Sequence, residues 1–361
     1  MSSTWGDRLK ISIFGESHSE GIGVVIDGFP AGIEIDFNDV ARFMARRAPA
    51  GQGYSTKRKE ADTPEVLSGI LNNVTCGTPI CCVIRNTDTR SQDYASIALK
   101  PRPGHADYTG FVRYGGYNDP RGGGHFSGRL TAPLVFAGAL CRQLLAAKGV
   151  TIGAHISEIA GISDTPFNEA AVTAQELRAL WEKPLPVLNG AKGEQMLAAI
   201  EQKRMECDSV GGVVECAVVG LPVGLGSPMF GSVEGVLSGL LFGIPAVKGV
   251  EFGAGFAAAR MTGSEHNDSF IIKGGAVKTK TNHHGGILGG ITSGMPLVFR
   301  AAFKPTPSIA KQQQTVDLAA MTNAQIEVQG RHDPCVVPRA VPCVEAAAAV
   351  ALADICLQAN R

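Results

Sequence analysis

The sequence predicts an α+β fold made of strands joined by short turns and of apolar helices. Strand-like segments follow one another and are then followed by helices, without the regular alternation that produces a parallel sheet. Two pairs of similar segments indicate internal pseudo-symmetry, residues 24–35 with 216–227 and residues 18–30 with 284–296. No low-complexity linker divides the chain, and its apolar content is sufficient for a large core, so we expect one domain over residues 1–361.

Strands are predicted where β-branched and other apolar residues form short runs between turn residues. They cover residues 9–15, 22–28, 65–71, 79–86, 151–159 and 211–220.

Helices are predicted over residues 37–47, 130–149, a polar region near 168–207, 232–243 and 340–357. The first begins at an Asp36 or Asn38 cap and ends in arginines, which suit a helix C-terminus. The second is stopped by Gly149. The last two are apolar on nearly every side, so we expect both inside the molecule.

Composition argues against several classes of function. The 33 Lys and Arg residues balance the 33 Asp and Glu residues, so no charge excess favours nucleic acid or a membrane surface. The chain has no apolar run of about 18 residues, the length that a membrane span needs. Asp7 and Arg8 stand where a signal peptide would be apolar, and the expected location is the cytoplasm. The 9 cysteines include no CxxC pair, which favours reduced, buried thiols over a disulfide framework or a metal site.

Residues 101–129, "PRPGHADYTGFVRYGGYNDPRGGGHFSGR", contain four arginines, two histidines and three consecutive glycines. No apolar run there is long enough for a strand or a helix with a buried face. Such a segment is either a solvated linker or a site that binds a large anionic ligand. From Val40 to Lys59 there are six basic residues and no acid. Guanidinium groups match phosphate and carboxylate geometry, although a solvated basic face is the alternative.

Three histidines, His18, His105 and His332, are candidates for proton transfer. His18 follows a strand and is either a turn residue or a proton donor to a leaving phosphate. His105 and His332 each have an arginine nearby, which opposes protonation, and a carboxylate nearby, which favours it. His283 and His284 are adjacent, unlike the i, i+4 spacing that places two ligands on one helix face, so we expect no metal there.

Residues 224–228, "GLGSP", faintly resemble the phosphate loop of small-metabolite kinases. The lysine and hydroxyl pattern of a Walker loop is absent, and so is a GxGxxG after a strand. A kinase therefore remains an alternative, whereas a Rossmann dinucleotide site is not expected.

A set of motifs in a fixed order carries more information than any of them alone. They are FGESH (14–18), RSQDY (90–94), RPGHADYT (102–109), RGGGHFSGR (121–129), DSVGG (208–212), AVKGVEFG (246–253), NHHGGILGGITSG (282–294), FKPTPSI (303–309) and GRHDPCVVPRAVPCVEA (330–346). In this order they resemble the chorismate synthases, from about residue 5 to residue 357.

The resemblance implies a lyase that converts 5-enolpyruvylshikimate 3-phosphate to chorismate, the last step of the shikimate pathway. Phosphate and a ring hydrogen leave in a 1,4-elimination that requires reduced FMN without net redox change. It also implies a helical layer between antiparallel β-sheets with internal pseudo-symmetry, and a homotetramer. A flavin-binding protein without catalysis is the second alternative.

Residue roles follow from the same resemblance. His18 corresponds to the acid that protonates the departing phosphate, and His105 to the residue that protonates the reduced flavin. Asp333 belongs to the base machinery, while Ser17 and Ser127 match a proton relay. The FMN contacts correspond to His125, Phe126, Ser127, Ala246, Gly289, Lys304, Pro305, Thr306, Pro307, Ser308 and Arg331. The anion contacts correspond to Arg46, Arg47, Arg129 and Arg339.

The chain departs from the family pattern at several positions. His125 and Phe126 replace an arginine and a serine, and Pro245 stands where an asparagine is common. Ala48 and Gly53 lack two family guanidiniums, which Lys57 or Arg58 would have to replace. The sequence contains no large insertion, which favours an outside reductant over reduction of FMN by NADPH on the enzyme.

Overall fold

A computed structural model describes residues 3–48, 62–87, 99–328 and 332–359. The first sheet has the antiparallel strand order β1-β2-β3-β7-β4. Its strands and the small hairpin beside them are β1 (Thr4–Trp5), β2 (Lys10–Gly15), β3 (Gly21–Asp27), β4 (Pro64–Ser68), β5 (Ile70–Leu71), β6 (Val74–Thr75) and β7 (Ile80–Arg85).

The second sheet is also antiparallel and five-stranded, in the order β11-β16-β10-β8-β9. The strands of this half, including three two-stranded hairpins, are β8 (Thr151–Ile159), β9 (Ile162–Ser163), β10 (Gly212–Val219), β11 (Val247–Phe252), β12 (Phe270–Lys273), β13 (Ala276–Thr279), β14 (Ile287–Leu288), β15 (Ile291–Thr292), β16 (Leu297–Phe303), β17 (Gln313–Asp317) and β18 (Thr322–Ile326).

A layer of helices lies between the two sheets. The helices of the chain are α1 (Phe37–Arg47), α2 (Asp107–Arg113), α3 (Thr131–Ala146), α4 (Ala174–Trp181), α5 (Gly190–Met205), α6 (Val233–Leu241), α7 (Gly263–His266) and α8 (Val337–Ala359). Helix α3 packs on β3 and β7 of the first sheet, whereas α8 packs on β8 and β10 of the second, and α1 and α6 flank them. The predicted α+β fold is confirmed.

Helix α8 forms the centre of the core. It is long and apolar enough to cross a membrane by length and composition, but 94% of its most apolar window is buried inside the protein. It approaches α3 closely, because a Cβ at Gly138 would lie 2.3 Å from the Cβ of Ala346. The prediction that the helix over residues 232–243 lies inside the molecule was only partly right. Leu237 and Leu240 of α6 are buried, but Phe242 at its C-terminus is 54% exposed.

The first pair of similar segments is repeated in three dimensions. The Thr75 hydroxyl donates to the carbonyl of Pro30 at 2.7 Å, and the Thr292 hydroxyl donates to the carbonyl of Pro222 at the same distance. In each half a central strand is followed by this turn, a helix of the central layer, an edge strand, a small hairpin, a further strand and a long core helix. The predicted pseudo-symmetry is therefore confirmed.

The second pair of similar segments is not equivalent in structure. Residues 21–27 form one long strand, whereas residues 287–292 form the tight β14–β15 hairpin. Glycine-rich segments resemble one another because of their composition alone. The prediction that residues 18–30 and 284–296 form a structural repeat was therefore wrong.

Three element boundaries also differ from the prediction. The helical region 168–207 is two helices, because Thr173 caps α4 in a capping box and Asn189 caps α5 anew. The strand over 65–71 is interrupted at Gly69, which has a φ of 83°. The segment 101–129 contains α2, whose side chains are almost all at least partly exposed.

A row of charged side chains crosses the second sheet. Glu215 lies opposite both His155 and Arg300 in the strand register. His155 Nε2 is 2.9 Å from Glu215, its Nδ1 is 3.1 Å from Asp164, and Arg300 contacts Glu215 and Glu251. His155 and Glu215 are fully buried. Burial by itself lowers the pKa of His155, but the two carboxylates outweigh it and raise that pKa above its usual value.

This arrangement predicts how stability depends on pH. Because the pKa of His155 is raised in the folded state, its contribution is complete below the unfolded pKa of about 6.5 and is lost as pH rises through the folded pKa. We expect the stability advantage of the wild type over His155→Gln to be largest below pH ~6.5 and to shrink at alkaline pH. Denaturant unfolding across this range measures it, and an advantage that grows with pH would contradict the charged pairing.

Candidate active site

Ser17 and His18 lie directly beyond the end of β2, which brings them to one end of the first sheet. Both side chains are buried, at 0% and 8% exposure. The backbone N–H of Ser17 donates to the carbonyl of Gly124 at 3.2 Å, and the Ser17 hydroxyl is 3.0 Å from His18 Nδ1. The same hydroxyl donates to the carbonyl of Arg121. The "GESH" turn is thereby joined to the segment that contains the three glycines, although Ser17 and Arg121 lie 104 residues apart in the chain.

The three glycines allow two histidines to approach the backbone. Gly122, Gly123 and Gly124 have φ values of 62°, 99° and 53°, which L side chains rarely adopt. A Cβ at Gly122 would lie 2.2 Å from His18 Cε1, and a Cβ at Gly123 would lie 2.9 Å from His105 Cε1. The two imidazoles therefore lie against consecutive glycines, so the structure brings both predicted acids together.

His105 is held by a carboxylate and an arginine. Its Nδ1 is 2.6 Å from Asp107 Oδ1. Arg102 donates from Nε to Asp107 Oδ2 at 2.7 Å and from Nη2 to Oδ1 at 2.8 Å, and its Nη1 donates to the Ser308 hydroxyl at 3.1 Å. Burial opposes ionisation of Asp107, but the hydrogen bonds from Arg102 and His105 hold its pKa well below the usual range.

The segment 304–308 lies on the other side of this group. Lys304 Nζ donates to the carbonyl of Gly104 at 2.8 Å, and burial lowers the pKa of its ammonium group. The Thr306 carbonyl accepts from Ser209 at 2.7 Å, while the Thr306 hydroxyl is buried with no hydrogen-bond partner in the described part of the chain. This segment thus places a cation beside Gly104, and it contains a buried hydroxyl that has no partner among the described residues.

The other predicted flavin contacts divide into two groups. Ala246, which has a φ of 75°, accepts a hydrogen bond from the backbone of Lys304 and so lies beside that segment. Gly289 is in the exposed turn of the β14–β15 hairpin, whose backbone hydrogen bonds run to residues 224–226 and 233. No hydrogen bond among the described residues joins this turn to residues 304–308.

His125, Phe126 and Ser127 have local structural partners. His125 Nδ1 is 2.8 Å from the carbonyl of Gly15 and its Nε2 is 2.7 Å from the Ser3 hydroxyl. The Phe126 ring packs closely against Gly110. The Ser127 hydroxyl accepts from the backbone of residue 129 and caps the short turn before α3.

Two of the predicted anion-binding arginines share one buried carboxylate. Arg47 donates to Asp62 from Nε at 3.0 Å and also from Nη2, and Arg129 donates to the other oxygen at 2.7 Å. Burial by itself raises the pKa of Asp62, but these guanidiniums lower it below the usual value. Arg339 joins them by donating to the carbonyl of Arg47 and to Asp333 at 2.6 Å. Among the described residues, three guanidiniums thus face two carboxylates.

Arg46 has a different partner. Its guanidinium is bonded to the fully buried Glu345 of α8, with Nη2 at 3.0 Å from Oε1. The same oxygen accepts from the backbone of Ala154 in β8. Arg46 therefore ties α1 to α8 and the second sheet, rather than joining Arg47 and Arg129.

Several predicted residues lie outside the described part of the chain. They are Arg331, Gly53, Lys57 and Arg58. Ala48 is described and ends α1, where its backbone N–H donates to Met44.

Comparison with known proteins decides the family. A family model described as chorismate synthase matches residues 9–357. The chain belongs to the chorismate synthase family.

Two relatives and a solved structure match this chain over nearly its whole length. Chorismate synthase of Dehalococcoides mccartyi (strain BAV1) is 47% identical over 360 residues, which is 100% of this chain and 98% of the relative. That of Korarchaeum cryptofilum is 46% identical, covering 99% of this chain and 98% of the relative. A crystal structure of chorismate synthase is 28% identical with a TM-score of 0.78, covering 98% of this chain and 93% of that one.

In this member of the chorismate synthase family, residues 224–228 belong to the repeated turn rather than to a phosphate loop. Gly224 donates to the carbonyl of Thr292, and Leu225 donates to its hydroxyl. The equivalent turn of the first half has the same bonds from Gly32 and Ile33 to Thr75. The kinase alternative is therefore not supported.

Sequence reasoning missed Asp62 altogether, and it treated Asp107 and Arg102 only as neighbours of His105. Asp62 and Glu60 both follow a long basic run, and nothing in the local pattern indicates which acid has a buried partner. It has a φ of 50°, uncommon for a non-glycine residue, but that is visible only in the structure. For Arg102 and Asp107, the sequence did contain a signal, because both lie within three residues of His105 in the chain.

The contact between Gly122 and His18 can be tested by adding one methyl group. Gly122→Ala is expected to displace His18 and to destabilise the fold by about 1–3 kcal/mol, because the methyl group would overlap the imidazole and the backbone is left-handed. Gly128→Ala is the matched control, since no described atom beyond its chain neighbours lies within 4 Å of the added Cβ. Denaturant unfolding compares the two variants, and equal stability would contradict the close approach.

Proposed function

We propose that this protein is a carbon–oxygen lyase that converts 5-enolpyruvylshikimate 3-phosphate to chorismate and phosphate, the last step of the shikimate pathway. The observation that carries the proposal is the convergence of His18 and His105 on consecutive glycines, in a chain 47% identical to a chorismate synthase over its full length. A 1,4-elimination of phosphate needs a proton donor at the leaving group and positive charge for the anions. Both are provided within one region of the fold.

Reduced FMN is the proposed cofactor, and the described residues fit it. Glycines 122–124 let the imidazoles of His18 and His105 lie against the backbone, which brings two possible proton donors to the region proposed for the cofactor. Lys304 and Arg102 provide positive charge, and the Thr306 hydroxyl is buried without a partner among the described residues. When bound, reduced FMN supplies an electron that loosens the carbon–oxygen bond and is afterwards returned. The residues proposed to hold it are His125, Phe126, Ser127, Ala246, Gly289, Lys304, Pro305, Thr306, Pro307, Ser308 and Arg331.

His18 is the proposed acid for the departing phosphate. Its Nδ1 lies 3.0 Å from the Ser17 hydroxyl, and Ser17 is proposed as the neighbouring member of a proton relay. Ser127 is proposed to act in the same relay. His105 would hold the proton that the reduced cofactor requires. Asp333, oriented by Arg339, would accept a proton in the base machinery.

The arginine group around Asp62 is proposed to bind the substrate anions. Arg47, Arg129 and Arg339 are fixed by carboxylates, so little side-chain entropy is lost when an anion binds. Guanidinium groups suit a substrate with a phosphate and a carboxylate, because they match the geometry of both anions. Arg46 would contribute through the position of α1.

A cytoplasmic homotetramer is also proposed. Large apolar side chains are exposed on the single chain, among them Phe230 (97%), Phe256 (79%) and Ile272 (74%). Exposed apolar groups of this size are usual where copies of a chain meet.

The function is tested by phosphate release from the enolpyruvyl substrate under anaerobic conditions with dithionite-reduced FMN. We expect turnover without stoichiometric oxidation of the flavin. His18→Ala and His105→Ala should each lose about 10²–10⁴-fold in rate, the usual range for a general acid. His266→Ala, outside this region, is the control. Wild-type turnover in either site variant, or full activity with oxidised FMN, would refute the proposal.

Arg47 tests the anion site. Arg47→Ala is expected to weaken substrate binding about 10- to 100-fold, the equivalent of a charge-assisted hydrogen bond of roughly 1.5–3 kcal/mol. It should also lower stability, because Asp62 would lose one of two buried partners. Arg42→Ala on the exposed face of the same helix is the control. The measurement is the substrate affinity of the wild type and both variants at matched FMN saturation. An unchanged affinity in Arg47→Ala would show that Arg47 has a structural role only.

A further inference from the structure

The carboxylate of Asp107 is the centre of a closed group of hydrogen bonds. Its Oδ2 accepts from the backbone N–H of Arg102 at 3.0 Å and from Arg102 Nε at 2.7 Å. Its Oδ1 accepts from Arg102 Nη2 at 2.8 Å and lies 2.6 Å from His105 Nδ1. Each oxygen therefore has two partners, and three of the four come from one arginine.

The chemistry of these groups decides where His105 carries its proton. A carboxylate only accepts hydrogen bonds, and a guanidinium only donates them. Arg102 Nη2 also lies 3.2 Å and 3.4 Å from the two ring nitrogens of His105, but it cannot accept a proton from either. Asp107 is the acceptor in this group, so the ring proton must be on Nδ1.

We propose that Asp107, held in place by Arg102, is a positioning residue that keeps the His105 proton on Nδ1 and directs Nε2 to the three-glycine segment. A Cβ at Gly123 would lie 3.0 Å from His105 Nε2, so this nitrogen lies against the three-glycine segment. When His105 is doubly protonated, the proton that it can give up is the one on Nε2, since the Nδ1 proton remains bonded to Asp107. Asp107 itself stays ionised throughout. The catalytic consequence rests on the proposed function, whereas the proton position does not.

Arg102 makes this orientation rigid. Its side chain is nearly fully buried, it grips both carboxylate oxygens, and its remaining nitrogen is bonded to Ser308. Rotation of the carboxylate away from His105 would break two charge-assisted hydrogen bonds to the guanidinium.

The amide variant Asp107→Asn tests the proton position. An asparagine carbonyl at the Oδ2 position accepts the two Arg102 donors there and leaves its NH₂ facing His105 and a single Arg102 donor, Nη2. The opposite orientation would set that NH₂ against both of those donors. The amide therefore donates to His105 Nδ1, and the ring proton moves to Nε2.

The experiment is ¹⁵N spectroscopy of flavin-free protein labelled at histidine, with the His105 signals assigned from their loss in His105→Gln. We expect the neutral ring to be protonated on Nδ1 in the wild type and in Asp107→Glu, and on Nε2 in Asp107→Asn. Glu201→Gln is the matched control, since Glu201 also binds an arginine through two bonds but has no histidine partner in the part of the chain that the structure describes. A wild-type ring protonated on Nε2, or a proton position unchanged in Asp107→Asn, overturns the inference. The wild-type spectrum decides even if the asparagine variant does not fold.

Turnover provides the second measurement. Asp107→Asn should lower kcat about 10²-fold or more, with the KM for substrate changed less than about threefold, and Asp107→Glu should restore part of the loss. If the ring proton of His105 is on Nε2 in Asp107→Asn but kcat is unchanged, the inference that Asp107 supports catalysis is overturned. Full activity of His105→Ala would instead refute the proposed role of His105, and the proton position would still be measured independently.

Discussion

The close packing of α3 against α8 determines how the two halves of the molecule meet. Gly138 and Ala346 allow the helix backbones to approach at a point where any larger residue would separate them. The starts of the two helices are connected through Arg47, which donates to the Thr131 hydroxyl of α3 and accepts from Arg339 of α8 through its carbonyl. The segments that precede them, residues 121–130 and 332–336, are therefore held together at one end of the helical layer.

This position explains why the candidate active site lies where it does. The loop before α3 carries the three glycines and Arg129, and the loop before α8 carries Asp333. The first turns of two buried helices direct the partial positive charge of the helix dipole toward this region. An anionic ligand is favoured there even before the arginines are considered, and the arginines add localised charge.

The charged groups of the site are paired before any ligand binds. Asp62 holds Arg47 and Arg129, while Asp107 holds Arg102 and His105. Buried ion pairs contribute little net stability, because desolvation offsets their attraction. Their value here is orientation, since a fixed guanidinium or imidazole loses less entropy when it meets its ligand.

The sequence by itself determined the class of fold, most helices and strands, one of the two internal repeats and the family motifs. Local periodicity reports which residues face the core, and capping residues such as Asp36 report where helices begin. Only the tertiary structure decided which carboxylate meets which arginine. Arg46 and Arg47 are adjacent in the chain, yet one binds Glu345 and the other Asp62. The physical reason is that consecutive residues of a helix point in different directions, so their partners depend on how distant elements pack, which no local pattern encodes.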